Sequence, residues 1–276
     1  MTVADALALA RALGLDRLDA QVLLGHHLQQ PRSWLVAHDD APVPADMAEA
    51  FEADCLRCAD EVPLAYLTGE QAFHGLLLKV TPQVLVPRPD TEALVDWALS
   101  CLATANLPAP EVLDLGTGSG AIALAVADRW PTARVTATDL SPEALAVAQS
   151  NAARLGLRLE TTAGDWWSAV PNRRYDLAMS NPPYIAGSDP HLPALRHEPT
   201  LALTPGGDGL DAIRQIVAGA PQALRPGAWL LIEHGWDQAA AVRALLCVAG
   251  LTEVQTRTDL AQRPRCSGGR WPTLIG

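Results

Sequence analysis

The sequence lacks the excess of basic residues that usually marks a protein built to hold duplex DNA. Lys and Arg together number 20, against 31 Asp and Glu, and the formal net charge is -11 at pH 7. Proteins that hold duplex DNA neutralise its phosphates with Lys and Arg. The charge balance therefore argues against such binding, although a local basic patch remains compatible with it.

Signals for secretion and for membrane insertion are also missing. Residues 1–5 lead directly into an amphipathic pattern, without the charged and then apolar stretch of a signal peptide. No apolar run reaches the length of a membrane-spanning helix. The five cysteines are odd in number and scattered, which is typical of a reducing compartment. We therefore expect a cytoplasmic protein with no membrane partner. Cys55 and Cys58 lack a second ligand pair nearby, so we expect no metal site.

Hydrophobic periodicity indicates three segments along the chain. Residues 1–73 show helical recurrence and predict a small helical domain without catalytic groups, suited to substrate recognition or to support. Residues 74–88 alternate like strands around a turn at residues 81–83, and predict a β-hairpin linker. Residues 89–276 alternate strand and helix patterns, which indicates an α/β domain with a doubly wound, mainly parallel sheet.

Two local predictions concern the ends of this α/β segment. At its start, Arg88–Glu92 opens a helix, and Asp90 or Thr91 is expected to cap the first turn with its side chain. At its end, residues 270–275 fit a last strand.

A glycine-rich turn follows the apolar strand Val112–Leu115 and opens a helix. Glycine lets the backbone bend sharply and approach a ligand closely. The spacing is G-x-G-x-G rather than the G-x-G-x-x-G of dinucleotide sites, and it resembles the methyltransferases that use S-adenosyl-L-methionine. We expect the turn to bind this cofactor through Gly116, Thr117, Gly118, Ser119 and Gly120.

Two residues at later strand ends are expected to complete the cofactor site. Asp139 ends the second strand and is placed to accept hydrogen bonds from ribose hydroxyls, as the equivalent acid does in dinucleotide folds. Trp166 follows the third strand, near the expected adenine position. The simpler interpretation of Trp166 is a core or cover residue.

The segment Ser180–Tyr184 stands where the fourth strand ends, at the edge of the sheet where α/β folds bind ligands. Asn181 offers an acceptor oxygen. Pro182 and Pro183 keep their carbonyls as acceptors at restricted positions, and Tyr184 supplies a flat face. Together they suit a flat group that bears an NH2, either an amide or an amino-base. A plain turn is the alternative for Asn-Pro taken alone.

These features together resemble class I methyltransferases, whose fold is a Rossmann-like doubly wound sheet, and within them the HemK/PrmC family. The resemblance covers nearly the whole chain. It rests on four motifs: Pro63–Gly69, Leu85–Glu92, Asp114–Ala123 and Asn181–Ile185.

The resemblance implies a protein-(glutamine-N5) methyltransferase that modifies the Gly-Gly-Gln loop of peptide chain release factors, of class 1 and bacterial type. It implies that Asn181 contacts both the cofactor side and the substrate glutamine, with Pro182 and Tyr184 in the catalytic clamp and Pro183 in substrate binding. No direct nucleic-acid substrate and no metal are expected.

Three alternatives remain open from the sequence. The Asn-Pro-Pro-Tyr motif is shared with adenine-N6 nucleic-acid methyltransferases, although the net charge opposes that function. The sequence distinguishes only weakly between this function and that of a sister enzyme that methylates a glutamine of a ribosomal protein. A non-catalytic binding module requires a disabled cofactor site, whereas every motif position is intact.

Overall fold

The computed structural model describes residues 1–273. By internal contacts the chain forms two compact units, of which the first spans Met1–Glu70 and the second begins at Gln71. Within the described residues, no helix has the length and apolar character needed to cross a membrane.

The first unit is helical, in agreement with the periodicity of its sequence. Thr2 and Asp5 form a reciprocal capping box at the first helix, and Leu23, Leu24 and Phe51 are fully buried in its core. A last short helix after Pro63 was not predicted. The helices are α1 (Val3–Ala12), α2 (Arg17–Leu28), α3 (Arg32–Ala37), α4 (Ala45–Ala59) and α5 (Leu64–Thr68).

The hairpin is present, but it begins earlier than the sequence predicted. Its strands are β1 (Glu70–Phe73) and β2 (Leu76–Lys79). The two turn residues His74 and Gly75 both have positive φ, 47° and 83°, and this backbone suits a two-residue hairpin turn. A turn is present at the predicted residues 81–83, where the Val84 N–H donates to the Thr81 carbonyl over 3.1 Å. It is not the hairpin turn, however, and the strand predicted after it is absent, because residues 84–86 form no strand.

The second unit alternates strands and helices, as predicted. Helices α6 (Glu92–Ala105), α7 (Ala121–Arg129), α8 (Pro142–Leu155), α9 (Thr200–Leu203), α10 (Asp211–Ala223) and α11 (Ala239–Val248) accompany its strands. The strands are β3 (Glu111–Leu115), β4 (Arg134–Asp139), β5 (Glu160–Ala163), β6 (Tyr175–Ser180), β7 (Leu224–Glu233), β8 (Thr252–Thr258) and β9 (Pro264–Arg270).

The seven strands form one sheet in the order β5-β4-β3-β6-β7-β9-β8. Strands β3 to β7 are parallel, and β9 runs antiparallel to both of its neighbours. The order reverses at β3, because β4 lies on one side of it and β6 on the other. Ligands of such sheets bind beyond the carboxyl ends of the strands at this reversal.

Side chains on both faces of the sheet are buried under helices. Val112 packs in a cluster with α6 and α7. The next residue, Leu113, packs in a second cluster with α10. Successive strand residues point to opposite faces, so the sheet is covered on both sides, as expected of parallel strands.

The last strand lies six residues earlier than predicted. Strand β9 ends at Arg270, residues 271–273 continue without strand structure, and residues 274 and 275 lie outside the described residues. The strand contains two glycines, which weakened its signal in the sequence. A Cβ on Gly268 would lie 2.7 Å from the Leu230 carbonyl oxygen and 3.0 Å from the Trp97 ring, so tertiary packing requires glycine there.

Candidate active site

The glycine turn between β3 and α7 is held by the neighbouring strand. The N–H groups of Gly116 and Thr117 both donate to the Thr138 carbonyl, each over 2.9 Å. At Gly118, with φ of 55°, a Cβ would meet no atom within 4 Å. The space beside Gly118 is therefore open, as a close ligand approach requires.

Gly120 is needed for helix packing, and it faces α7 and α8 rather than the open side of the turn. A Cβ at this position would lie 3.0 Å from Leu124 Cδ1 and 3.1 Å from Ala148 Cβ. Its φ of 84° is in the left-handed region that favours glycine. Gly120 thus lets α7 start close to α8.

Asp139 is tied to the glycine turn at the end of β4. Its Oδ2 accepts from the N–H of Gly118 and its Oδ1 from the N–H of Ser141, each over 2.9 Å. Burial raises the pKa of this carboxyl, and the two N–H groups oppose the rise. Two hydrogen bonds hold the half-buried carboxylate at a defined place, and each oxygen has a further lone pair for a ligand hydroxyl.

Asp114, the acid that precedes the glycine turn, lies beneath it. Its Oδ2 accepts from the Thr117 hydroxyl over 2.7 Å, whereas its Oδ1 has no partner among the described residues. Burial raises the pKa of Asp114 to about 7, against the lowering effect of the Thr117 hydroxyl. Asp114 therefore supports the turn from the core side.

Of the two adjacent tryptophans, only Trp166 is directed to the glycine turn. A Cβ on Gly116 would lie 3.2 Å from Trp166 Cζ3. The Nε1 of Trp167 instead donates to the Ile216 carbonyl of α10 over 2.8 Å. Trp166 therefore lies beside the glycine turn, where it lines the same cavity.

Asn181 follows β6 directly, and its side chain is held by a residue 90 positions earlier. Its Nδ2 donates to the Thr91 hydroxyl oxygen over 3.3 Å. The preceding residue, Ser180, donates through its hydroxyl to the Leu115 carbonyl of β3 over 2.7 Å. With Nδ2 turned to Thr91, the acceptor oxygen Oδ1 is left for another partner.

A cavity of about 660 Å³ joins these residues. This volume is within the range of small-molecule sites in proteins. Eight of the residues predicted for the site line it: Gly116, Thr117, Gly118, Ser119, Asp139, Trp166, Asn181 and Pro183.

Comparison with known proteins identifies the family. Residues 4–69 match the PrmC N-terminal domain, and residues 93–210 match the methyltransferase small domain. Relatives named release factor glutamine methyltransferase include those of Bordetella pertussis, 55% identical over 93% of this chain and 95% of theirs, and Xylella fastidiosa strain 9a5c, 49% identical over 97% and 98%.

The chain belongs to the release factor glutamine methyltransferase family. Solved structures agree in fold. A methyltransferase from Pyrococcus furiosus superposes with a TM-score of 0.54 at 18% identity, over 72% of this chain and 90% of that one. The hMettl16 catalytic domain, solved with MAT2A 3'UTR hairpin 1, gives 0.59 at 15% identity and 82% of each chain. The predicted class I methyltransferase fold is confirmed.

Three of the predicted site residues lie outside the cavity lining of this family member. Gly120 packs between helices, Pro182 is buried, and Tyr184 packs partly buried against the second core cluster. The Tyr184 hydroxyl donates to Glu233 Oε1 over 3.3 Å, and its carbonyl accepts from Gln238 Nε2 over 2.9 Å. Tyr184 thus contacts strand β7 and the start of α11.

Thr91 is the N-cap residue of α6, as predicted, but its side chain does not make the expected capping hydrogen bond. Neither the single 3-10 turn Pro89–Thr91 nor α6 has a side-chain cap. The Thr91 hydroxyl instead accepts from Asn181, and the Asp90 carboxylate lies 3.0 Å from Arg265 Nη2. Both side chains therefore make tertiary contacts that compete with capping.

An ion pair that the sequence did not predict joins the motif Leu85–Glu92 to the segment before Pro199. The Glu198 carboxylate pairs with Arg88 and also accepts from the Val86 N–H over 3.1 Å. Glu198 is buried, and Pro199, which follows it, lines the cavity. The His-Glu-Pro turn at one edge of the cavity is thereby fastened to the segment before α6.

Proposed function

We propose that this protein transfers a methyl group from S-adenosyl-L-methionine to the side-chain amide nitrogen of the glutamine in the Gly-Gly-Gln motif of peptide chain release factors, of class 1 and bacterial type. The observation that carries this proposal is Asn181, held by Thr91 at the edge of a cavity that also contains the glycine turn and Asp139. A cytoplasmic location follows from this substrate.

The residues present fit the cofactor. The open space beside Gly118 admits a ligand close to the backbone. Asp139 would accept hydrogen bonds from ribose hydroxyls, and Trp166 would cover the adenine ring. When bound, the cofactor supplies an electrophilic sulfonium methyl group. The turn Gly116–Gly120 would hold its amino-acid portion.

The chain's own task is to orient a weak nucleophile, because the lone pair of an amide nitrogen is delocalised into its carbonyl. Asn181 Oδ1 and the Pro182 carbonyl would accept the two amide hydrogens, with Pro183 along the substrate. Such acceptors favour positive charge on the nitrogen as it forms. Once methylated, the nitrogen would be acidic, and it would release one proton to solvent water. Tyr184 would support the clamp by packing.

Two further assignments belong to the same proposal. The helical unit Met1–Glu70 would recognise the release factor, and the hairpin of β1 and β2 would link it to the methyltransferase domain. The helical unit has its own compact core around Leu23 and Phe51. In the described residues, no group of three or more His, Cys, Asp or Glu is placed to hold a metal ion.

The test is methyl transfer from tritiated S-adenosyl-L-methionine into four samples side by side. They are a purified release factor, its Gln→Ala loop variant, a ribosomal protein preparation and DNA. Label in the release factor alone, absent from its loop variant, supports the proposal. Label in the ribosomal protein or in DNA instead would assign the clamp to the alternative substrate.

A further inference from the structure

The buried carboxyl of Glu233 lies beside the amide clamp. Glu233 ends β7 and is 1% exposed. Ser180 pairs with Ile232 in the sheet, so the residues that follow, Asn181 and Glu233, leave adjacent strands at the same level. The Oε2 of Glu233 has no hydrogen-bond partner among the described residues. A buried polar atom without a partner is costly and calls for an explanation.

Two hydroxyl groups act on this carboxyl, and each connects it to the clamp. Tyr184 donates to Oε1 over 3.3 Å. The Thr91 hydroxyl lies near the same carboxyl, whose pKa it lowers, and Oε2 has no other donor among the described residues. Since Thr91 Oγ1 already accepts from Asn181 Nδ2, its own hydrogen is free to point to Glu233. With the Thr91 hydrogen directed to the unpartnered Oε2, the donors run in one direction, from Asn181 to Thr91 to Glu233, and Tyr184 donates separately to Oε1.

Burial and the charged groups around Glu233 together place the pKa of its carboxyl near neutral pH. Burial raises the pKa of Glu233 to about 7, Arg265 lowers it, and Asp90 raises it. The Arg265 guanidinium is shared with Asp90 and Asp259, at 3.0 and 3.1 Å. Cys266 faces Glu233 across the β7–β9 ladder, and burial keeps its pKa well above its ordinary value.

We propose that Glu233 is a positioning residue for methyl transfer: through Thr91 it fixes the Asn181 amide with Nδ2 turned away from the substrate, and through Tyr184 it holds the end of the Asn-Pro-Pro-Tyr segment. The inference rests on the proposed function of the clamp. Glu233 is outside the cavity lining, so it acts through these neighbours rather than on the substrate.

The ionised carboxylate is the form that orients the clamp. A carboxylate only accepts hydrogen bonds, so Thr91 must donate to it and accept from Asn181. A protonated Glu233 can itself donate to Thr91 Oγ1 and compete with Asn181 Nδ2. Methylation should therefore rise with pH through about 7 and level off above it.

The experiment compares Glu233→Gln and Thr91→Val with two control variants that remove buried hydroxyls elsewhere. Thr136→Val changes a side chain that is 1% exposed on β4, and Tyr175→Phe removes a buried hydroxyl without a hydrogen-bond partner. All variants keep the full chain. The measurements are kcat and KM for a release factor against pH, cofactor Kd by calorimetry, and Tm.

We expect Glu233→Gln and Thr91→Val each to lower kcat at least about tenfold, with cofactor Kd within about twofold of wild type. The double variant should lose little more than either single variant, because both act through one chain of hydrogen bonds. The rise of kcat with pH near 7 should be absent in Glu233→Gln. A purely structural role would lower Tm and leave kcat and its pH profile unchanged, and that result would overturn the proposal.

A second readout is independent of turnover. The side-chain amide NMR signal of Asn181, assigned with Asn181→Ala, should shift with pH near 7 in the wild type and stay constant in Glu233→Gln. A signal that titrates equally in both proteins would also refute the proposal. If the wild type methylates another substrate and no release factor, the proposed function is wrong. The role of Glu233 is then tested by measuring the same variants on that other substrate.

Discussion

Replacing Asn181 by alanine tests the clamp most directly. The change removes Oδ1, the acceptor left over when Nδ2 donates to Thr91 over 3.3 Å. Asn181 is half-buried at the cavity wall, so water replaces the lost acceptor poorly. An unsatisfied hydrogen-bonding group in such a place commonly costs about 1–3 kcal/mol in the ground state.

The loss should be larger in the transition state, where positive charge forms on the nitrogen that Oδ1 orients. A fall of about 2.7 kcal/mol in transition-state stabilisation corresponds to about a hundredfold in rate. We therefore expect Asn181→Ala to lower kcat at least about a hundredfold. Cofactor affinity should change far less, since Gly118 and Asp139 remain in place.

The assay is steady-state methylation of a release factor, with cofactor binding measured separately by calorimetry. Asn181→Asp serves as the matched control, because it keeps an acceptor of the same shape and loses the two donors. It should retain partial activity. Normal turnover by Asn181→Ala, or equal activity on the loop variant that lacks the glutamine, would refute the clamp.

Four other variants test the remaining parts of the protein. Gly118→Val should abolish cofactor binding, because the valine side chain enters the open space beside the turn. Asp139→Ala should weaken cofactor binding by about 1.5–3 kcal/mol for each charged hydrogen bond lost. Unchanged calorimetric titrations would contradict both predictions. Deleting residues 1–69, which keeps strand β1, should leave cofactor binding intact and greatly reduce methylation of an intact release factor. Methylation at the normal rate by the shortened protein would show that the helical unit has no recognition role. Burial raises the pKa of Asp114 to about 7, so its stabilising contribution is present below about pH 4 and is lost as the pH rises through about 7. Urea unfolding at about pH 4 and about pH 8 should therefore show a smaller loss of stability in Asp114→Asn than in the wild type, by about 1.4 kcal/mol for each pKa unit removed.

Local patterns in the sequence determined much of the fold. Helices α4, α7 and α8 lie in segments where the sequence predicts helices, because helical periodicity and the end residues of a helix are local signals. At α8, for example, Ser141 caps the helix and Gly156 ends it in the left-handed region. The glycine turn and Asp139 were likewise predictable, since the turn directly follows strand β3 and Asp139 ends strand β4.

Errors of position arose where tertiary packing outweighs local preference. The hairpin turn at His74 and Gly75 was missed because histidine with a positive φ of 47° has little local signal. Strand β9 was displaced in the prediction because its glycines read as loop. In the structure, Gly268 fits under Leu230 and Trp97, where any side chain would collide.

The arrangement of the clamp was decided by tertiary structure alone. Asn181 and its partner Thr91 are separated by 90 residues, and Tyr184 and Glu233 by 49. A threonine in a helix start and a glutamate at a strand end each have a common local use, as a cap or as a surface charge. Their joint position beside Asn181 arises only when α6 packs on the sheet and β7 pairs with β6, because hydrogen bonds between distant segments leave no periodic signal in the sequence.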